Sequence, residues 1–516
     1  MQRPSRWRRG RLLHDGALGR FGTLVASTAL TVVLGCTAGA TRATEERPLE
    51  LVVNVSPDTL DPRYVTDTVG VRASRLIHAG LVRLDPDRLE PVPYVARSWS
   101  WLDGRTLRVV LRDDVRFHSG ARVSSADVVA TLRAFGAPSV ASRHARIVEP
   151  IAEVVEDGPD AVVVRLKRAH ATLLTDLEVP ILRVDQAFGP PDPEGTLDGL
   201  GPFRVGHFDR AALLLEPADG SPLPRPRHRV VVRTVRDENA RALRLVAGRS
   251  DIALNVVSPT LLPAMESASG LFVRSRPGAN ISYLVVHHEH GVLADREVRR
   301  ALSLAIDRMA ITSSLFAGRA EAAAGIIPPT HWARANRSLQ PLAHDEAMAR
   351  RVLGGRRFRV TLLTSTERFR VSIARVLGQM FAEVGVEVEG IPLELGTMLA
   401  RLNAGDFDLA MLTLPAFTEP HLLRHFFHSA FVPPAGANRG RVRDSELDAF
   451  LDEGGRGQTL EERCRLYGAA EGRLLDEMHA VPLWHEDQVA VTSARAREFL
   501  PSAEGNWLSV AAVGER

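Results

Sequence analysis

The chain has 516 residues, 45% of them hydrophobic, 25% charged and 5% aromatic, a globular composition with ample core material and a length that points to more than one lobe. The net charge is +3, but residues 1–35 carry six arginines against the single acid Asp15. The remainder is therefore net negative, which argues against nucleic acid as a partner. Of the two cysteines, Cys36 and Cys464, the first is assigned another use by its position, so a disulfide framework is excluded.

Residues 1–20 form a basic n-region and residues 21–34 an apolar run. About 14 residues is too short for a membrane span and right for a signal-peptide h-region. The run ends at Val33-Leu34-Gly35-Cys36, which resembles the lipobox of bacterial lipoproteins, where the cysteine thiol is diacylglycerated and the chain is cut before it. The expectation is a signal peptide over 1–35, lipidation at Cys36 and a small, polar tether over 36–47. Leu34 is less usual than a small residue there, and a plain signal peptide with an incidental cysteine is the alternative. No second stretch is apolar enough to span a membrane, so a soluble extracytoplasmic or periplasmic body, held at the membrane by its lipid, is expected.

The mature chain opens with an alternating, β-branched strand over 49–55, broken by the turn chemistry of Ser56 to Pro62. A second strand is predicted over 107–112. Ser124 and Asp127 read as a capping box that starts an amphipathic helix through Val128, Val129 and Leu132. Asp295 is the predicted N-cap of one helix running to about Phe316, with Val298, Leu302, Ala305, Ile306 and Met309 on one face and Gly318 as its stop. A strand over 358–364, a helix over 369–384 stopped by Gly385, a strand over 386–391, a short helix over 397–403 and a strand over 407–414 follow. This βαβαβ order predicts a sheet with helices packed on it, an α/β fold. The Pro-rich spots at 189–193 and 221–226 read as surface loops.

Thr59-Leu60-Asp61-Pro62, Leu81-Val82-Arg83, residues 93–99, residues 111–120 with Phe117-His118-Ser119-Gly120, and Ser125-Ala126-Asp127-Val128 together resemble the opening of the family 5 extracellular solute-binding proteins of bacterial ABC importers. Gly201-Pro202-Phe203, residues 247–253, residues 293–308, residues 405–409 and Pro482-Leu483-Trp484 are similar to later landmarks of that family, in order. The resemblance covers nearly all of the mature chain. It implies a two-lobed periplasmic-binding-protein fold of the large peptide-binding type, with a discontinuous first lobe and an interlobe cleft. Lobe I would comprise 48–276 with a C-terminal return over 482–516, and lobe II 277–481. It further implies a monomer that captures a peptide or small-molecule ligand by lobe closure and delivers it to an ABC permease with its ATPase. No covalent step and no cofactor are implied.

In peptide-binding members of that family the cleft is lined by a loop after the first strand, here Asp67, Thr68 and Val69, and by a loop after the strand ending near Leu414, here Pro415, Ala416, Phe417 and Glu419. The family aspartate that pairs with a peptide's α-ammonium falls on Ala416. A buried ammonium needs a paired charge, so free-amine peptides are in doubt unless Glu419 takes over; the alternative is a solvated loop acid. His287, His288 and His290 with Glu289 form a provocative cluster, and His287 is counted among the ligand-binding candidates. Imidazole suits nickel, zinc or copper, yet alternation along a strand lets at most two of the three converge, and no metal ligand is assigned. His421, His425 and His428 can share a helix face, with structural roles favoured. Cys464 reads as a free, half-buried thiol.

The rival readings are a metal-chelate (nickel-type) binder of the same fold, a sensor or chaperone receptor, and an enzyme. H-E-x-x-H, G-x-S-x-G and P-loop motifs are absent from the sequence. A zinc hydrolase built on the histidine cluster is the enzymatic version, and a protein that is not an enzyme is expected.

Overall fold

The computed structural model describes residues 47–457 and 459–514. The leader, Cys36 and the tether up to residue 46 lie outside the described residues. No helix among those described is long and apolar enough to cross a membrane.

The strand Leu49–Val53 is buried at all five positions, which only a central strand covered on both faces allows. It pairs in parallel with Val230–Thr234 on one side and Ile252–Leu254 on the other. From there the sheet runs outward through Ala212–Pro217 to Phe203–Phe208. At the other end, Val386–Leu393 pairs in parallel with Phe358–Ser365, which pairs with Leu409–Leu414, then antiparallel with Ile281–Val286. One long strand, Val481–Ser493, joins the two halves. Its first residues pair with Ile281–Val286 and its last with Ile252–Leu254 and Leu271–Pro277. A separate four-stranded antiparallel sheet, in the order Ala96–Asp103, Thr106–Leu111, Ala161–Leu166, Ile151–Glu156, packs its inner face against the helix Ser125–Gly136.

The capping box is formed: the Asp127 carboxylate accepts from the Ser124 N–H at 2.9 Å and from its hydroxyl at 2.7 Å, and also holds the Val184 N–H at 2.8 Å. The predicted βαβαβ run is present as Phe358–Ser365, Arg368–Glu383, Val386–Leu393, Leu395–Ala404 and Leu409–Leu414, with Gly385 at φ +89° turning the first helix into the next strand.

One expectation is corrected. The single helix from Asp295 to about Phe316 is two, Arg296–Ala305 and Arg308–Ser314. Ile306 is extended (φ −88°, ψ 114°), and Asp307 caps the second helix by accepting from the Ala310 N–H at 2.9 Å. Arg308 makes the break stable. Its buried guanidinium donates to the carbonyls of Ser303 and Pro482 and to the Ser303 hydroxyl, tying the end of the first helix to the long strand.

The landmarks that made the chain recognisable are mostly such clamps. Asp61 and Arg63 form a fully buried bidentate pair at 2.6 and 3.0 Å, and Arg63 also holds the carbonyls of Gly189 and Pro190. His118 bonds the Gly201 carbonyl at 2.9 Å. Asp251 gathers the Glu50 N–H, Arg47, Ser493 and Arg495. Trp484, fully buried where the long strand changes neighbours, stacks on Phe316 at 5.2 Å.

Candidate functional site: a cleft in two chambers

Two large cavities flank the helix Thr68–Ile77 and the loop after Leu409–Leu414. The first, about 880 Å³, is lined by Val71, Ser74 and Arg75 of that helix and by Thr418 and Glu419 of the loop. The second, about 830 Å³, is lined by Arg72 of the same helix, by Thr413 and Pro415, and by Glu486, Asp487 and Gln488 in the middle of the long strand. Both are of the size that takes a small ligand.

The sequence-predicted residues divide. Pro415 and Glu419 reach the cavities, one each. Ala416 is exposed between them, and Phe417 is fully buried, packed edge-on to His331 at 5.6 Å. Asp67 is the helix N-cap, accepting from the Gly70 N–H at 2.7 Å. Thr68 is exposed and Val69 is in the core. The same helix therefore faces the cavities one turn later than expected, through Val71, Arg72, Ser74 and Arg75.

His287 is not brought to these residues. It follows the strand Ile281–Val286, whose opposite end, Ile281, pairs with Leu414 beside Pro415. Six residues of strand put them on the order of 20 Å apart. His287 instead accepts from Arg441 at 3.2 Å and packs on Phe407, while His290 meets Asp408 at 2.5 Å. His288 points the other way, to His479 at 3.3 Å and through it to Asp444, as alternation requires. His421 bonds the Tyr467 hydroxyl at 2.8 Å and His428 sits against Asp448 and Asp452. Among the described residues no group of three or more His, Cys, Asp and Glu is placed to hold a metal ion.

Glu419 is the chemical centre of the first chamber. It is 9% exposed and forms a short ion pair with Arg463 of the helix Leu460–Asp476. Its carboxylate also accepts from the His421 N–H at 3.0 Å and from the Thr175 hydroxyl at 3.1 Å. Arg463 lies 5.0 Å from the Trp332 ring and 5.6 Å from Tyr467, a cation–π setting that stabilises a desolvated guanidinium. Burial pushes the Glu419 carboxyl up, and the Arg463 charge opposes that push; Arg463 stays charged, its own desolvation outweighed by Glu419. The acid that was the candidate ammonium anchor is thus already neutralised from within the chain. Deeper in this chamber Arg75 bridges Glu178 and Glu504 at 2.6 and 2.5 Å. Burial lifts the Glu178 carboxyl to about 7 despite Arg75.

In the second chamber Glu486 is held by Arg370 through two bonds of 2.6 and 2.9 Å and by Ser282 at 3.1 Å. Arg72, Thr175, Arg370, Arg463 and Glu486 were not singled out from sequence. Glu419 and Arg463 are 44 residues apart, and Arg370 and Glu486 are 116 apart. No local pattern announces pairs at such separations.

Residues 90–430 match the family described as bacterial extracellular solute-binding proteins, family 5, middle region. Among relatives, a probable di/tripeptide-binding protein 5 of Pseudomonas aeruginosa is 27% identical over 87% of this chain and 92% of its own length. The glutathione-binding protein GsiB of Escherichia coli (strain K12) is 24% identical over 94% and 96%. Among solved structures, the ABC transporter substrate-binding protein CtaP of Listeria monocytogenes superposes with a TM-score of 0.81 at 19% identity, over 90% of this chain and 99% of that one. The NikA protein of Brucella suis in complex with Fe(III)-EDTA gives 0.79 at 21%, over 90% and 99%. The fold is therefore the two-lobed one of periplasmic binding proteins, and the chain belongs to the family 5 bacterial extracellular solute-binding proteins.

Proposed function

We propose that this chain is the extracytoplasmic receptor of an ABC importer that captures a peptide or peptide-like solute between its lobes and hands it to a membrane permease with its ATPase. The observation that carries the reading is the pair of chambers on either side of one loop, with carboxylates and guanidiniums among their lining residues. Contacts cross the cleft beside that loop: Thr175 to Glu419, and the Ala171 N–H to the Gly455 carbonyl at 3.1 Å. A ligand that adds bridges of this kind stabilises the closed form by its differential affinity for it. Relatives named for dipeptides and glutathione support a peptide-like ligand.

Lobe I is proposed as 48–276 with 482–516, lobe II as 277–481, and the ligand contacts as Pro415, Glu419 and the cleft-facing turn of the helix Thr68–Ile77. The protein is proposed to be a monomer without catalytic activity, tethered through a lipid on Cys36.

The test is thermal unfolding of residues 37–516 with short peptides, amine-blocked peptides, and nickel or zinc with and without chelators. A ligand at about a hundred times its Kd stabilises by roughly 2.7 kcal/mol, a readily seen shift. Shifts with peptides support the reading. Shifts confined to metal chelates replace it by metal uptake, and silence throughout removes the proposed ligand class.

A further inference from the structure

The second chamber contains a cation opposed only at longer range, by the Glu504 carboxylate. Arg72 projects from the helix Thr68–Ile77 into the 830 Å³ cavity. Its guanidinium makes no hydrogen bond or ion pair to any described residue. It lies against the backbone of Gly505, where the missing side chain leaves room: a Cβ there would stand 2.6 Å from Nη2. The polar neighbours are engaged elsewhere. Gln488 accepts from Asn255 and donates to the Ala503 carbonyl at 3.1 Å. The Glu504 carboxylate holds Arg75 at 2.5 Å and Asn506 at 2.5 Å.

The other charged groups lining the chamber have partners of their own, a cation for Glu486 and Glu367 and neutral donors for Asp487 and Glu238. Glu486 and Glu367 face Arg370. Arg319 pairs with Glu266 at 2.5 Å, and Arg241 is spent on the carbonyls of Val235, Arg236 and Val256. Asp487 accepts from the Ser275 hydroxyl, and Glu238 from the Ser258 N–H. Arg368 stands exposed at the rim. Desolvating a guanidinium is costly unless its donors and charge are met, and here burial depresses half-buried Arg72 to about 10 against the opposing pull of Glu504. A planar fork of donors with free positions fits a carboxylate.

We infer that Arg72 is the anchor for an anionic group of the ligand, a carboxylate, and that the solute taken up is acidic and has no free ammonium requiring Glu419. This rests on the solute-binding reading and narrows it. The first chamber supplies its own cation to Glu419 through Arg463, and the second offers Arg72 the distant Glu504 charge but no acceptor for its donors. What Arg72 lacks is therefore an acceptor for its donors, which a ligand carboxylate supplies.

The experiment is a thermal-shift and calorimetric comparison on the protein from residue 37 onward, using N-acetyl-dialanine with its carboxylate free, the same compound as its amide, dialanine amide with its amine free, and the dicarboxylates succinate and glutarate. The expected result is stabilisation by at least one carboxylate probe and none by its amide counterpart. Arg72→Gln is expected to weaken that probe about thirtyfold and Arg72→Lys to retain part of the binding. The ligand-free Arg72→Gln protein should melt no lower than the wild type, because it loses a half-buried guanidinium that has no hydrogen-bond partner; a lower melting point would show that Arg72 is spent on the fold. Equal binding of acid and amide, unchanged affinity in Arg72→Gln, or no shift with any carboxylate would each overturn the inference. Binding of dicarboxylates with silence from every peptide probe would keep it while removing the peptide reading. Preferential binding of dialanine amide would do the reverse.

Discussion

Glu419 and Arg463 illustrate how a candidate binding residue is claimed by its own fold. An isolated buried carboxylate is costly, and the pair is tolerable because Arg463 compensates it directly and the His421 N–H and Thr175 hydroxyl fill its remaining lone pairs. Removing only the cation leaves the acid uncompensated. Arg463→Met is therefore expected to destabilise the protein by about 3–5 kcal/mol, measured by urea unfolding at pH 7, while the double variant Glu419→Gln/Arg463→Met recovers most of the loss. A single variant as stable as wild type would show the pair to be dispensable. Cys464, half-buried with its thiol pushed up by burial, is expected to react with a thiol reagent at neutral pH far more slowly than in urea.

Among the elements, the paired helices Arg296–Ala305 and Arg308–Ser314 show why periodicity misjudges boundaries. Val298, Leu302, Ala305, Ile306 and Met309 keep helical spacing across a break that no glycine or proline marks, yet Met309, beyond the break, is exposed and not on the buried face. The break exists because Arg308 reaches carbonyls of the first helix and of the long strand at once, a partner only the tertiary fold supplies. Arg308→Ala removes the side-chain bonds to Ser303 and Pro482 together with a packed stem. The expected cost is about 3 kcal/mol, seen as a lower urea midpoint with an unchanged slope. At the helix Ser125–Gly136 the capping residue also ties down Val184, so Asp127→Ala is expected to cost about 1–3 kcal/mol. A loss under 0.5 kcal/mol would mean the cap is redundant.

For the whole molecule, buried ionisable groups set the acid limit of stability. Burial depresses His78, His288, His331 and His421 to about 3 and His485 to about 4, from an ordinary 6.5. The unfolded chain then binds protons first, so the stability these residues contribute is complete above about 6.5 and is lost as pH falls toward their folded values. Glu178, Glu419 and Glu471 are raised by burial and act oppositely: the folded state binds protons first, so stability declines as pH rises from about 4.5 through their folded values. Between pH 6.5 and 4.5 the two sets partly cancel. Below 4.5 the histidines go on changing and are joined by carboxylates that arginine partners hold low, Asp444 at about 2 and Glu50 and Asp452 in the same direction, so the urea midpoint is expected to fall most steeply between pH 4.5 and 3. A flat midpoint over that interval would contradict the assignment of neutral buried histidines.

From the sequence alone came the family and the α/β class, the capping box and the βαβαβ run. These depend on residues close together in the chain, on hydrophobic period, caps and turn chemistry, or on landmarks in a fixed order. The tertiary structure alone decided that Asp67 and Val69 serve the fold while Arg72 and Arg75, one turn on, face the cleft. It likewise decided that His287 lies at the far end of its strand, and that Glu419 meets a cation 44 residues away. Which charges are satisfied depends on partners brought together by packing, and a buried charge owes its chemistry to those partners.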